Sequence, residues 1–144
     1  MAKVIFDLNT FGLSALVEKI TGVLVKDCFT DGEFWYVIVP PGEVGKAVGR
    51  QGILIKIIEQ QARKHLKIIE FHEDAVVFIR NVVYPLKISQ VFEQGNAFVI
   101  ADKDRRVKSQ LLGHQGKLLA LVNRAVQRFF PGKEVKVEGK LTIE

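Results

Sequence analysis

Two four-residue stretches, GRQG at residues 49–52 and GHQG at residues 113–116, are the parts of this chain best suited to chemistry. Glycine leaves no side chain between the backbone and a ligand, and it reaches angles closed to other residues. Each stretch follows an apolar residue, Val48 or Leu112, and precedes an amphipathic run, ILIKIIEQQARKHL or KLLALVNRAVQRFF. Amides at a helix N-terminus have no intrahelical partner and carry partial positive charge, so a loop of this kind can receive a phosphate. A lone GxxG is equally a tight helix–helix turn. Here there are two, each beside basic residues: Lys46, Arg50 and Lys56 at the first, Lys108 and Lys117 with Arg105 and Arg106 at the second.

The elements that must hold these loops follow from periodicity. TFGLSALVEKITG spaces Leu13, Leu16, Val17 and Ile20 as a helix stopped at Gly22. VLVKDCFTDGEFWYVIVPP predicts two strands turning at Asp31-Gly32. The short segment EVGKAV enters GRQG, and the helix after it carries Leu54, Ile57, Ile58, Ala62 and Leu66 on one face, with Lys56, Arg63 and Lys67 on another. KIIEFH closes the segment as a strand. The order then restarts. Asp74 caps the helix AVVFIRNVVY, LKISQVFEQGNAFVIAD gives two strands around Gln94-Gly95-Asn96, and KDRRVKSQLL is a short basic helix before GHQG. KLLALVNRAVQRFF and the strand EVKVEGKLTI complete the second half.

A shift of 64 residues superposes the halves: Gly49 falls on Gly113, Gln51 on Gln115, Gly52 on Gly116 and Leu54 on Leu118. Apolar positions stay apolar through Ile55/Leu119, Ile57/Leu121 and Ile58/Val122, so the repeat is longer than four letters. Only HED separates the halves, which predicts two subdomains in a fixed relation rather than beads on a string.

Composition narrows the function classes. The 144 residues are 48% hydrophobic and 26% charged, an ordinary globular balance, with a formal net charge of +5 that favours a polyanionic partner. The single cysteine, Cys28, lies in an apolar run and reads as a buried thiol; it allows neither an intramolecular disulfide nor a cysteine metal cluster. His65 and His72 form no metal-like set with it, and no cofactor is implied. The opening MAKVIFDLNTFG lacks the apolar stretch of a signal peptide, and no run approaches the ~20 residues of a membrane span, so a cytoplasmic protein without membrane contact is expected. GEVGKA resembles a P-loop only superficially, because Ala47 stands where Ser or Thr is required. Ser14, Ser89 and Ser109 lie in no nucleophile context, and no convergent carboxylate pair is visible. Catalysis is not expected. Trp35 and Tyr36 read as strand packing residues before base-stacking ones.

VGRQGILI and LGHQGKLL, set in the order helix, strand, strand, helix, GxxG, helix, strand, resemble the KH domain in its type II arrangement. The resemblance covers nearly the whole chain. Tandem KH domains without a linker, with KVIFD, ITGVLVKDCF and FIRNVVYPLKI, further resemble the short archaeal form of the transcription factor NusA. The bacterial members carry a polymerase-binding domain and an S1 domain for which this chain has no room. The resemblance implies an α+β fold of two tandem type II KH subdomains packed without a flexible linker, spanning residues 1–73 (with an N-terminal strand) and 74–144. It implies single-stranded RNA as partner, with RNA polymerase or other transcription factors as further candidates, and a monomer acting in transcription elongation or termination. Each GxxG loop would clamp about four nucleotides of backbone. The first site is then Gly49, Arg50, Gln51 and Gly52 with Lys46 and Lys56, and Ile53 and Ile55 walling the base groove. The second is Gly113, His114, Gln115 and Gly116 with Lys108, Lys117, Arg105 and Arg106. KH loops usually carry Lys or Arg between the glycines, so His114 is a departure that predicts unequal use of the two loops. A KH protein acting on ribosomal RNA, and a KH-fold scaffold for protein interactions, are the alternatives.

Overall fold

Leu13 and Val17, four residues apart on one helical face, are fully buried and seat α1 (Thr10–Thr21) in a core shared with Trp35, Val37 and Val39. The computed structural model describes residues 10–139. The strand expected in KVIFD and the last residues of EVKVEGKLTI lie outside the described residues. The chain divides into two compact units, Met1–Phe71 and His72–Glu144.

In the first unit, β1 (Asp27–Thr30) pairs antiparallel with β2 (Phe34–Val39), and β2 pairs in parallel with β3 (His65–Glu70), giving the order β1-β2-β3. The turn forms as the Asp-Gly pair predicts. Asp31 Oδ1 accepts from the amides of Glu33 (2.9 Å) and Phe34 (2.8 Å), an Asx turn, while Gly32 takes φ 98°. Trp35, Val37 and Val39 alternate into the helix-facing core with Cys28. Tyr36 and Ile38, on the opposite face, are buried too. The Tyr36 hydroxyl donates to Asp31 Oδ2 at 2.7 Å, and its ring lies 5.4 Å from that of Phe29. Both strand aromatics therefore pack, and the cysteine is a core thiol.

Helix α2 (Val44–Val48) leads into the loop, and α3 (Ile53–Ala62) leaves it, burying Ile58 and Ala62. One expectation is corrected here. The helix was expected to run on through Leu66, with Lys67 on its basic face, but it ends at Ala62. Arg63 turns left-handed at φ 57°, its amide donating to the Glu59 carbonyl at 2.8 Å. His65, Leu66 and Lys67 belong to β3. The Glu59 carboxylate draws the strand in by accepting the Leu66 amide at 2.8 Å.

The second unit repeats the plan. α4 (Ala75–Val83) is helical despite four valines and an isoleucine. Asp74 caps it by accepting from the Val76 amide at 2.9 Å, and Ala75, Phe78, Ile79, Val82 and Val83 bury a face at helical spacing. β4 (Gln90–Gln94) and β5 (Ala97–Ala101) pair antiparallel across Gly95-Asn96, and β5 pairs in parallel with β6 (Glu134–Val137). Between them α5 (Arg105–Phe129) is helical on both sides of a break at residues 113–116. Asn123 does for β6 what Glu59, its counterpart at the same 64-residue shift, does for β3. Its Oδ1 accepts from the Val135 amide at 2.8 Å, and its Nδ2 donates to the Val135 carbonyl at 3.0 Å. Each half is thus a three-stranded mixed sheet with its helices in the expected order, and the protein is α+β with two KH-like units.

Candidate nucleic-acid interface at the two glycine loops

The first loop is a tight reversal. The Gly49 amide closes α2 by donating to the Gly45 carbonyl at 3.0 Å, and the Gly52 amide donates to the Gly49 carbonyl at 3.1 Å. Gly49 sits at φ 80°, Gln51 at φ 54° and Gly52 at φ 75°. A Cβ placed on Gly49 would stand 2.6 Å from Leu54 Cγ and 3.0 Å from the Leu54 amide nitrogen. The loop is folded so closely onto the first turn of α3 that no other residue fits. Gly52, the N-cap of α3, has no side chain to satisfy the helix's first amides.

The second loop reaches a similar reversal by another route. Gly113 keeps ordinary extended angles (φ −71°, ψ 174°), and three residues in succession, His114, Gln115 and Gly116, are left-handed at φ 50°, 62° and 72°. A Cβ on Gly113 or on Gly116 would meet nothing within 4 Å. Left-handed angles cost a residue with a Cβ about 1–2 kcal/mol. Gln51, His114 and Gln115 are nonetheless held there, and all three side chains are exposed.

The expected site residues distribute as follows. Arg50, Gln51, Ile53 and Lys56 are exposed on the first loop and the opening turn of α3; Ile53 is 48% exposed, unusual for isoleucine, and Ile55 is half-buried. Lys46 is exposed on α2, the end of its side chain (Cε and Nζ) lying beside Gly22, just past α1. In the second unit His114 and Lys117 are exposed beside Gln115 and Gly116. The shift that pairs Arg50 with His114 pairs Ile53 with Lys117, so the second loop carries its cation just after the glycines rather than between them.

Arg105 and Arg106 open α5, roughly 10–12 Å along the axis before Gly113. Arg106 reaches its own N-cap, Asp104, at 3.4 Å, with its side chain 89% exposed, an ion pair of little energetic weight. Lys108 is engaged within its unit: Nζ donates to the Gly139 carbonyl at 3.2 Å. The Asp102 carboxyl is held below the usual carboxylate range first by the Asp104 amide, then by the Ser89 amide and hydroxyl, and least by the charge of Lys108. The Asp104 carboxyl is lowered likewise, first by the Arg106 amide and then by its guanidinium. These two aspartates anchor the start of the helix that carries the second loop.

Sequence reasoning passed over Leu54 as the residue that makes Gly49 obligatory, and over Glu59 and Asn123 as the side chains that tie each long helix to its strand. The 64-residue shift was a signal for the last two, since polar residues recur at one register inside an amphipathic run. Among the described residues there is no group of three or more His, Cys, Asp or Glu able to hold a metal, and no helix long and apolar enough to cross a membrane.

Two compact mixed-sheet units, each with a glycine-framed break before its long helix, define a protein with a tandem KH-like fold. The crystal structure of APE1850 aligns with it at a TM-score of 0.73 and 25% identity, covering 90% of this chain and 97% of the other. No family model matches the chain. Curated relatives do. The protein of Methanocaldococcus jannaschii called "Probable transcription termination protein NusA" is 31% identical over 140 residues, 95% of this chain and 76% of its own length. The proteins of the same name from Halococcus morrhuae and Methanococcus vannielii are 26% and 29% identical, covering 85% of this chain and 90% and 73% of their own lengths. The chain belongs to this archaeal NusA-like family.

Proposed function

We propose that this protein binds single-stranded RNA through both glycine-framed loops, as a monomeric cytoplasmic factor of transcription elongation or termination working with RNA polymerase or other transcription factors. Its two KH domains, in this reading, are residues 1–73 and 74–144. The observation that carries it is the recurrence, at one register, of a side-chain-poor break with an exposed left-handed glutamine at the start of an amphipathic helix. The names of the relatives and the basic net charge support the same reading. Bare amides at a helix start suit a phosphate. Arg50 in the first loop and Lys117 after the second add charge, and exposed Ile53 offers an apolar surface to a base. Phosphate contacts of this kind supply affinity and salt dependence, with little sequence information.

Arg50→Asp/Gln51→Asp tests it. Asp tolerates the left-handed angle at residue 51, so the fold should persist while affinity for single-stranded RNA falls at least tenfold at low salt. Unchanged affinity, measured by anisotropy of a labelled oligonucleotide, would count against the loops and favour a scaffold role.

A further inference from the structure

Lys56 and Gln60, four residues apart, lie on the exposed face of α3, and Arg63 and Lys64 follow directly after its end. The stripe starts one turn after the GRQG loop and runs roughly 10 Å to the end of the helix. With Glu59 and His65 these residues line an open depression of about 390 Å³. Glu59, the one acid among them, accepts the Leu66 amide and keeps its charge, so Lys56, Arg63 and Lys64 leave the depression a net excess of two positive charges. Lys64 Nζ also lies 5.8 Å from the Trp35 ring centroid. The walls of the depression are the stems and polar ends of long side chains, with the His65 imidazole the one ring among the lining residues. The cationic ends suit a solvated phosphodiester strand.

Cations at a helix C-terminus also complement the helix dipole, which is the plain explanation for Arg63 and Lys64. The second unit keeps that arrangement only in part. At the same register Lys56 becomes Ala120 and Arg63 becomes Gln127, while Gln60 and Lys64 become Arg124 and Arg128. There Gln127 is spent on its own turn, Nε2 donating to the Lys133 carbonyl and Oε1 accepting from the Gly132 amide at 3.4 Å. The fold therefore does not require cations at the positions of Lys56 and Arg63.

We infer that the outer face of α3 is a second phosphate-contact surface, which carries the RNA backbone from the GRQG loop toward the start of β3 and lengthens the first unit's footprint beyond its loop. The inference rests on the loop-binding reading above.

The test uses the whole chain with Arg63→Asn and Lys64→Gln together; Asn keeps the left-handed cap at residue 63 accessible. Binding is measured at several salt concentrations to an oligouridine of about four nucleotides and to one about three times as long. On the longer strand the variant should lose roughly tenfold in affinity at low salt, and its salt slope should fall by about 1.4, two single-strand phosphate contacts. On the short strand it should match the unmodified protein. If the variant matches it on both strands while Arg50→Asp/Gln51→Asp abolishes binding, the inference is overturned and the loop reading stands. Equal weakening on both strands also overturns it, because the residues would then act at the loop itself. If the loop variant binds both strands normally, the loop reading falls and the inference with it.

Discussion

The two loops carry nearly the same letters and do not share a mechanism of folding. In GRQG the first glycine is obligatory twice over, by its angle and by the Leu54 side chain 2.6 Å from where a Cβ would be. In GHQG the first glycine has ordinary angles and open space, and the strain moves to three consecutive left-handed residues. A shared motif thus conceals a loop locked by packing and a loop bent by local backbone. The charges differ in the same spirit: arginine inside the first loop, lysine just after the second.

The sharpest way to break this comparison is to put the same small side chain at both first glycines. Gly49→Ala should destabilise the first unit by about 2–4 kcal/mol, the sum of an unfavourable angle and a clash with backbone and Leu54. Gly113→Ala should be neutral or stabilising by up to about 1 kcal/mol, because it only restricts the unfolded chain. Urea unfolding curves of the two variants check it; equal losses would remove the distinction. A smaller effect concerns charge. His114→Arg should restore a cation between the glycines and strengthen RNA binding several-fold at low salt, with the salt slope rising by about 0.7 for one further phosphate contact. An unchanged slope would mean that the second loop does not meet the backbone.

The smallest expected effect is in the pH tails, where the two units differ in sign. Asp102 and Asp104 have lowered values in the folded protein, so what they contribute is present above the ordinary carboxylate range and is lost as pH falls through their folded values. Asp102→Asn should flatten this acid loss. In the first unit, burial lowers the value of Lys67, so the cost of its charge is present at neutral pH and is relieved as pH rises toward the ordinary lysine value. Thermal melts across acid and alkaline series should show the first unit holding better at high pH.

Much of this was legible in the sequence, for particular reasons. Glycine spacing marked both turns because few residues accept the angles. The helix α4 could be read through its β-branched residues because Asp74 supplied a cap and the buried positions kept a helical period. The end of α3 was misread because no glycine or proline marks it: Arg63 takes the left-handed cap instead, at an energetic cost that sequence does not display. The Lys108 side chain reaches the Gly139 carbonyl, a long-range bond that periodicity cannot supply. The Gly49–Leu54 contact is local, but it crosses the break between two helices, where the helical period gives no guide.

The central claim is that the backbone at both helix starts meets a single-stranded polyanion. Backbone amide chemical shifts followed during titration with single-stranded RNA address it residue by residue. The account predicts that the largest changes fall at residues 49–55 and 113–119, with those at the first loop saturating earlier, and that duplex RNA moves them far less. RNA binding that leaves the amides of both loops unmoved would contradict it.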